Sequence, residues 1–207
     1  MQFSTIFLDP PWPYDQTHVQ GAAARAYTLM TWDAIADIGP LIHAVAAPDC
    51  AIFMWVTAPL LMETARIVTS WRMRYITKAF TWVKTYPDGG LYVGLGRHTR
   101  ANTEDVWLLS NGAPKRCVAD VSQVVMARVA AHSRKPDEHY RRAARLYPGP
   151  YLELFARRPR TGWVTLGNEI DGLDIRDSLH ALAGADAPPI IPRPAIFNVA
   201  LDFGEAA

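Results

Sequence analysis

Apolar and polar positions alternate in short blocks along this chain, and the block lengths predict strands and helices in turn. Phe3-Ser4-Thr5-Ile6-Phe7-Leu8 is an apolar run stopped by an acid and two prolines, which predicts a buried strand over 3–8. Residues 13–30 are rich in Gly, Ala and polar side chains and predict a loop. Thr31 suits a helix cap ahead of Trp32, and Gly39-Pro40 divides that helix into two pieces ending near Ala47. Ala51–Val56 is a second buried run. Leu60–Ser70 sets Leu61, Ala65 and Val68 on one helical face, and Tyr75–Lys84 alternates as a strand does. Residues 86–102 form a long Gly-rich, basic loop, of the length that compact domains use for function. Glu104–Ser110 and Val121–Met126 predict two more strands. Pro136 suits the first position of a helix running to Leu146, which Tyr147-Pro148-Gly149-Pro150 stops. Tyr151–Ala156 and Gly162–Gly167 read as the last strands. Strands alternating with helices predict an α/β sheet. From about Ala181 the composition turns to Ala, Pro and Asp, so a domain is expected over 1–181 and a tail or packing arm over 182–207.

Composition narrows the class. A chain of 207 residues, half of them hydrophobic, is expected to form one domain with a substantial core. No apolar run approaches the roughly 20 residues of a membrane helix. The amino terminus enters the first strand without a basic leader, and Cys50 and Cys117 suggest neither a disulfide scaffold nor a zinc motif. The expectation is a cytoplasmic protein. Net charge is +1, but its distribution is uneven. Nine Arg and Lys against three acids between Arg128 and Arg160 leave a local net of +6, and residues 169–207 carry −5. Such a basic stretch fits a phosphate-contacting face or a solvated helix surface, and charge alone leaves both open.

The chemistry concentrates where the first strand ends, at Asp9-Pro10-Pro11-Trp12. Prolines fix φ and donate no hydrogen bond, so the chain leaves the sheet abruptly, at the edge where open α/β sheets bind ligands. Asp9 Oδ and the Pro10 carbonyl could each accept one N–H of an exocyclic amine and stabilise the positive charge that grows as its nitrogen attacks an electrophile. Trp12, or Tyr14 beyond it, could stack on a planar base. The bland alternative is a capped strand end with Trp12 in the core. A second constellation, His132-Ser133-Arg134-Lys135-Pro136-Asp137-Glu138, sets a basic loop at a helix start, with Lys135 free to meet a carboxylate or merely to begin a well-made helix. The strand over 151–156 runs into Arg157, and the last strand ends in Gly167-Asn168-Glu169, an amide–carboxylate pair of the kind ribose hydroxyls need. His132 and His139 lack a matching ligand set, so they are read as structural and no metal is expected.

In these motifs the chain resembles the adenine-N6 methyltransferases related to the catalytic subunit of the messenger-RNA adenosine methyltransferase, a family with many bacterial and phage members. The matches are Asp9-Pro10-Pro11-Trp12, Phe53-Met54-Trp55-Val56, Gly96-Arg97 through Asn102-Thr103-Glu104, Ser133 to Glu138, Glu153 to Arg157, and Gly162-Trp163 through Glu169, in the family's order. The resemblance implies a Rossmann-like S-adenosylmethionine-dependent methyltransferase sheet in permuted order, catalytic motif first. It implies S-adenosylmethionine as cofactor, with Lys135 on its carboxylate, Arg157 beside its ribose, and Asn168 with Glu169 on ribose hydroxyls or the adenine edge. Asp9, Pro10, Pro11 and Trp12 would bind the target base, with Glu104 helping to order it. The expected product is N6-methyladenine in nucleic acid, with DNA preferred to RNA. Tyr14, Arg97, His98, Arg100 and Glu104 are the expected substrate contacts. Specificity would rest on the 13–30 and 85–102 loops, and on a homodimer or a partner subunit.

Two departures stand out. Family members often carry a strand and acidic turn upstream of the catalytic motif, whereas this chain begins eight residues before Asp9, so the cofactor adenine is expected to be held differently, with the tail as one source. Glu169 stands where relatives often carry Gln. A non-catalytic partner subunit and methylation of another amine are the competing readings; the intact Asp9–Trp12 turn and Lys135 argue against the first, and the downstream motifs against the second.

Overall fold

A computed structural model describes residues 1–13, 29–94, 96, 98–130 and 134–184. Their strands are β1 (Phe3–Leu8), β2 (Ala46–Val56), β3 (Arg74–Thr85), β4 (Thr103–Asn111), β5 (Val124–Arg128), β6 (Tyr151–Leu154) and β7 (Trp163–Leu166). The helices are α1 (Trp32–Asp37), α2 (Gly39–Val45), α3 (Leu61–Ser70), α4 (Asp137–Leu146), α5 (Asn168–Asp171) and α6 (Ile175–Ala183). All seven strands form one sheet in the order β5-β3-β4-β2-β1-β6-β7. β1 lies parallel to β2 and β6, β6 to β7 and β3 to β5, while β4 runs antiparallel to β2 and β3. The first strand is thus near the middle of a mostly parallel sheet, and the last strands complete it on one side. This is the Rossmann-like, permuted arrangement expected.

Parallel strands need cover on both faces. One face of β1 and β2 (Ile6, Leu8, Ile52, Met54) packs under α1, α2, α3 and α6, which contribute Ile35, Leu41, Ile67 and Leu179. The other face carries Phe7, Phe53, Trp55, Phe80 and Trp82 beneath α4. Its rings form a continuous layer: Phe53 stacks between Phe7 at 5.4 Å and Phe80 at 5.7 Å, and Tyr140 of α4 closes on Phe7 at 4.4 Å. Thr31 caps α1 by accepting from the Ala34 N–H at 3.1 Å, as its sequence position predicts.

Several boundaries differ from expectation, each for a local reason. β6 stops at Leu154 because Phe155 turns into the left-handed region at φ 60°. Pro136 is the N-cap of α4 in extended conformation, not its first helical residue. β5 begins at Val124; before it, the Ser122 and Gln123 carbonyls are taken by the Arg142 guanidinium and the Thr81 N–H. α6 is the largest omission. Asp174 caps it, and Ile175, Leu179 and Leu182 follow the helical period onto the core, so a boundary at 181/182 falls in its last turn. Residues 185–207 of the expected tail lie outside the described residues. Among the described residues, no helix is long and apolar enough to cross a membrane.

Candidate active site

Sheet topology gathers the functional side chains at one edge. β1, β2, β3, β6 and β7 end there and the antiparallel β4 begins there. The turn after β1 is rigid: the Trp12 N–H returns to the Pro10 carbonyl at 2.8 Å, and the Met30 N–H donates to the Pro11 carbonyl at 3.1 Å. Among the described residues, the Trp12 N–H is the one backbone donor to the Pro10 oxygen, which has two acceptor positions. Trp12 is only 4% exposed. Its indole N–H donates to the Trp55 carbonyl at 3.3 Å and its ring packs beside Trp32. The expected stacking face is therefore a core side chain that anchors the turn. Tyr14, the other aromatic considered, lies outside the described residues.

Asp9 follows Phe7 on the α4 side of the sheet and meets Lys135, whose Nζ is 3.5 Å from Asp9 Oδ2. The same Nζ donates to Glu104 Oε2 at 2.7 Å and sits 4.9 Å from the centre of the Trp55 ring. Lys84, at the end of β3, donates to the other Glu104 oxygen at 2.6 Å. Cation and anion thus alternate across four elements, as Lys84, Glu104, Lys135 and Asp9. A quarter of the Asp9 side chain stays accessible (24%). Desolvation still raises the Asp9 pKa above its ordinary value, with Glu104 adding to the rise and Lys135 and Arg157 opposing it. Glu104 goes the other way: burial opposes its charge most, but Lys135 and Lys84 together hold its pKa below the ordinary value. The expectation that Lys135 awaits a carboxylate is thus refined, since it already serves two.

A second cluster adjoins the first. Arg157, just past β6, reaches Glu169 Oε1 at 3.8 Å, and Asn168 and Glu169 are exposed in the first turn of α5. Gly167 makes this possible, because a Cβ there would stand 2.3 Å from the Ala156 carbonyl oxygen. Of the loop residues, His98 and Arg100 are exposed and take no part in the ion pairs of the Asp9 cluster. Arg97 lies outside the described residues. Much of the basic stretch is paired with acids, with Arg142 and Arg160 largely covered and Arg145 and Arg158 at the surface: Arg142 pairs with Glu138, Arg158 and Arg160 with Asp137, Arg160 also with Glu153, and Arg145 with Asp120. His139 is fully buried between Trp55 and Phe80, as a structural histidine would be, and burial lowers its pKa to about 4. Sequence reasoning missed Lys84 and Trp55 as parts of the site. The pairing of Trp82 with Glu104 places Lys84 beside Glu104, but a register is not visible in either strand alone.

The chain is 26% identical over 190 residues to the Type II methyltransferase M.MunI of Mycoplasma sp., covering 82% of this chain and 78% of that protein. It is 28% identical over 191 residues to the human N(6)-adenosine-methyltransferase catalytic subunit METTL3, covering 85% of this chain but 30% of METTL3. The MT-A70-like N(6)-adenosine-methyltransferase of Arabidopsis thaliana is 28% identical over 208 residues, with 27% of its length covered. The chain therefore spans under a third of these two longer relatives. The MT-A70 family model matches residues 3–169, from the first residue of β1 through the Asn168–Glu169 pair, and the chain belongs to the MT-A70 family.

Proposed function

We propose that this protein transfers a methyl group from S-adenosylmethionine to the N6 amino group of adenine in DNA. The observation that carries the reading is the Asp9 carboxylate, fixed at the carboxyl edge of β1 by a proline turn and set 3.5 Å from Lys135 within the matched family region. N6-adenosine chemistry is in the names of METTL3 and its MT-A70-like relatives. DNA is preferred because the match covers 78% of the bacterial Type II methyltransferase but 30% of METTL3.

The residues present suit the cofactor. Lys135 would extend its charge, which Asp9 and Glu104 already share, to the cofactor carboxylate, Arg157 would stand beside the ribose, and Asn168 with Glu169 would offer an amide and a carboxylate to the ribose diol; the close approach at Gly167 brings these last three together. Bound there, S-adenosylmethionine would supply an electrophilic methyl group. Asp9 Oδ and the remaining Pro10 lone pair would each accept an N–H of the adenine amine, favouring a more pyramidal nitrogen. As positive charge grows on that nitrogen, a preorganised acceptor is worth roughly 3–4 kcal/mol. Asp9 must be ionised for this role. The surplus proton leaves after the methyl group arrives, and a carboxylate with a raised pKa is a suitable first acceptor.

Methyl transfer from labelled S-adenosylmethionine to matched DNA and RNA oligonucleotides, with nucleoside mass analysis, tests the reading. N6-methyldeoxyadenosine in DNA is expected. Label in RNA alone would overturn the choice of nucleic acid, and label on another base or none on either polymer would overturn the activity. Lys135→Met is expected to weaken cofactor binding by at least about tenfold, through loss of a charge-assisted contact.

A further inference from the structure

Building on the proposed role of Asp9, we infer that Lys84 is a positioning residue of this site, whose ammonium occupies Glu104 and thereby keeps Lys135 available to hold the Asp9 carboxylate in its ionised form. The geometry argues for it directly. Each oxygen of Glu104 takes one ammonium, Lys84 at 2.6 Å on Oε1 and Lys135 at 2.7 Å on Oε2, and only Lys135 reaches on to Asp9. Lys84 touches no part of the Asp9–Trp12 turn in the ion pairs and acts through Glu104. Its place is well fixed: its backbone N–H donates to the Asn102 carbonyl at 2.8 Å, and its Nζ lies 5.2 Å from the centre of the Trp82 ring.

With four charges the chain is balanced. Without the Lys84 charge, Glu104 and Asp9 compete for one ammonium, and the shorter contact belongs to Glu104. Asp9 is then left beside an unbalanced carboxylate, which favours its protonated form. The other groups that act on Asp9 do not remove the conflict. Arg157 arrives from beyond β6 but is shared with Glu169, and Tyr140 of α4 is neutral, with its own pKa raised by burial and by Glu153. Glu104 faces Lys84 from β3 and Lys135 from the segment before α4. Protonated Asp9 has no negative charge to set against the growing positive charge on the amine.

The test is a titration of the Asp9 carboxyl by carbon-13 NMR in the full chain, with the resonance assigned by its disappearance in Asp9→Asn. Lys84→Met keeps most of the aliphatic stem and removes the charge; Lys84→Arg keeps the charge. Lys84→Met is expected to raise the Asp9 midpoint by about half to one pH unit, the size of a unit charge acting across about 10 Å of partly buried protein. Lys84→Arg should restore the wild-type midpoint, and the acid limb of methyl transfer should move with it in both variants. An unchanged or lowered midpoint in Lys84→Met overturns the inference, even if the wild type methylates adenine. A raised midpoint in Lys84→Met, together with a wild type that transfers no methyl group, would leave the inference standing and remove the functional reading. If Lys84→Met and Lys84→Gln both fail to fold while Lys84→Arg folds, the residue is structural and the inference falls.

Discussion

Glu104→Gln is the perturbation whose size and sign follow most directly from the charge chain. Gln is close in shape to Glu but leaves one acceptor oxygen for two ammonium groups, at a site where the Glu104 side chain is 22% exposed and Lys135 13%. Breaking a fully buried ion pair costs about 3–5 kcal/mol, and an exposed pair is worth at most about 1 kcal/mol. The partial exposure here and the surviving amide acceptor place the expected loss near 2 kcal/mol. Urea unfolding followed by the fluorescence of the buried Trp55, Trp71 and Trp82 would measure it. In a cycle with Lys84→Met, the double variant should lose less than the two single losses added, by about 1 kcal/mol or more, because Lys84 acts through Glu104. The Asp9 titration supplies the opposite sign. Freed from Glu104, Lys135 turns wholly to Asp9, so Glu104→Gln should lower the Asp9 midpoint where Lys84→Met raises it. Additive losses in the cycle, or a raised Asp9 midpoint in Glu104→Gln, would refute the charge-chain reasoning.

Two further expectations lie outside that chain. His139 is held neutral by burial with a pKa of about 4, so between its unfolded value near 6.5 and about 4 the unfolded state binds the extra proton, and stability falls with pH by about 2 kcal/mol from pH 7 to pH 5. His139→Phe should remove that slope in paired denaturant titrations, and an unchanged slope would contradict the assignment. Gly167→Ala puts a Cβ 2.3 Å from the Ala156 carbonyl oxygen, against backbone that has little room to yield. A loss of about 1–3 kcal/mol is expected, with weaker cofactor binding by calorimetry because Asn168 and Glu169 shift with the strand end.

Local signals were legible in the sequence and long-range ones were not. The apolar run ending at Asp9, the Thr31 cap, the break at Gly39-Pro40 and the helix after Pro136 each depend on neighbours within a few residues. The positions of Lys135, Arg157 and Asn168-Glu169 near element ends were likewise readable. The cost of burying Trp12 was not, because its partners Trp55 and Trp32 are distant in the chain. Lys84 stayed hidden because its meaning depends on the β3–β4 register, 20 residues apart in sequence. Charge alone left the role of the basic stretch from 128 to 160 open, because the pairing of Arg145 with Asp120 and of Arg158 and Arg160 with Asp137 joins residues more than 20 apart in sequence. α6 was overlooked because its three apolar contacts are spaced through a short segment of polar, charged and Ala residues.

The central claim is that the Asp9 carboxylate stabilises charge on the adenine amine, and single-turnover methyl transfer by Asp9→Ala tests it most directly. With saturating S-adenosylmethionine and an adenine-containing DNA substrate, the rate should fall by at least about 100- to 1000-fold, the share expected of one preorganised acceptor. Cofactor affinity, measured by calorimetry on the same preparation, should stay close to that of the wild type. Transfer within about tenfold of the wild type would contradict the account, and so would a lost rate that is fully explained by lost cofactor binding.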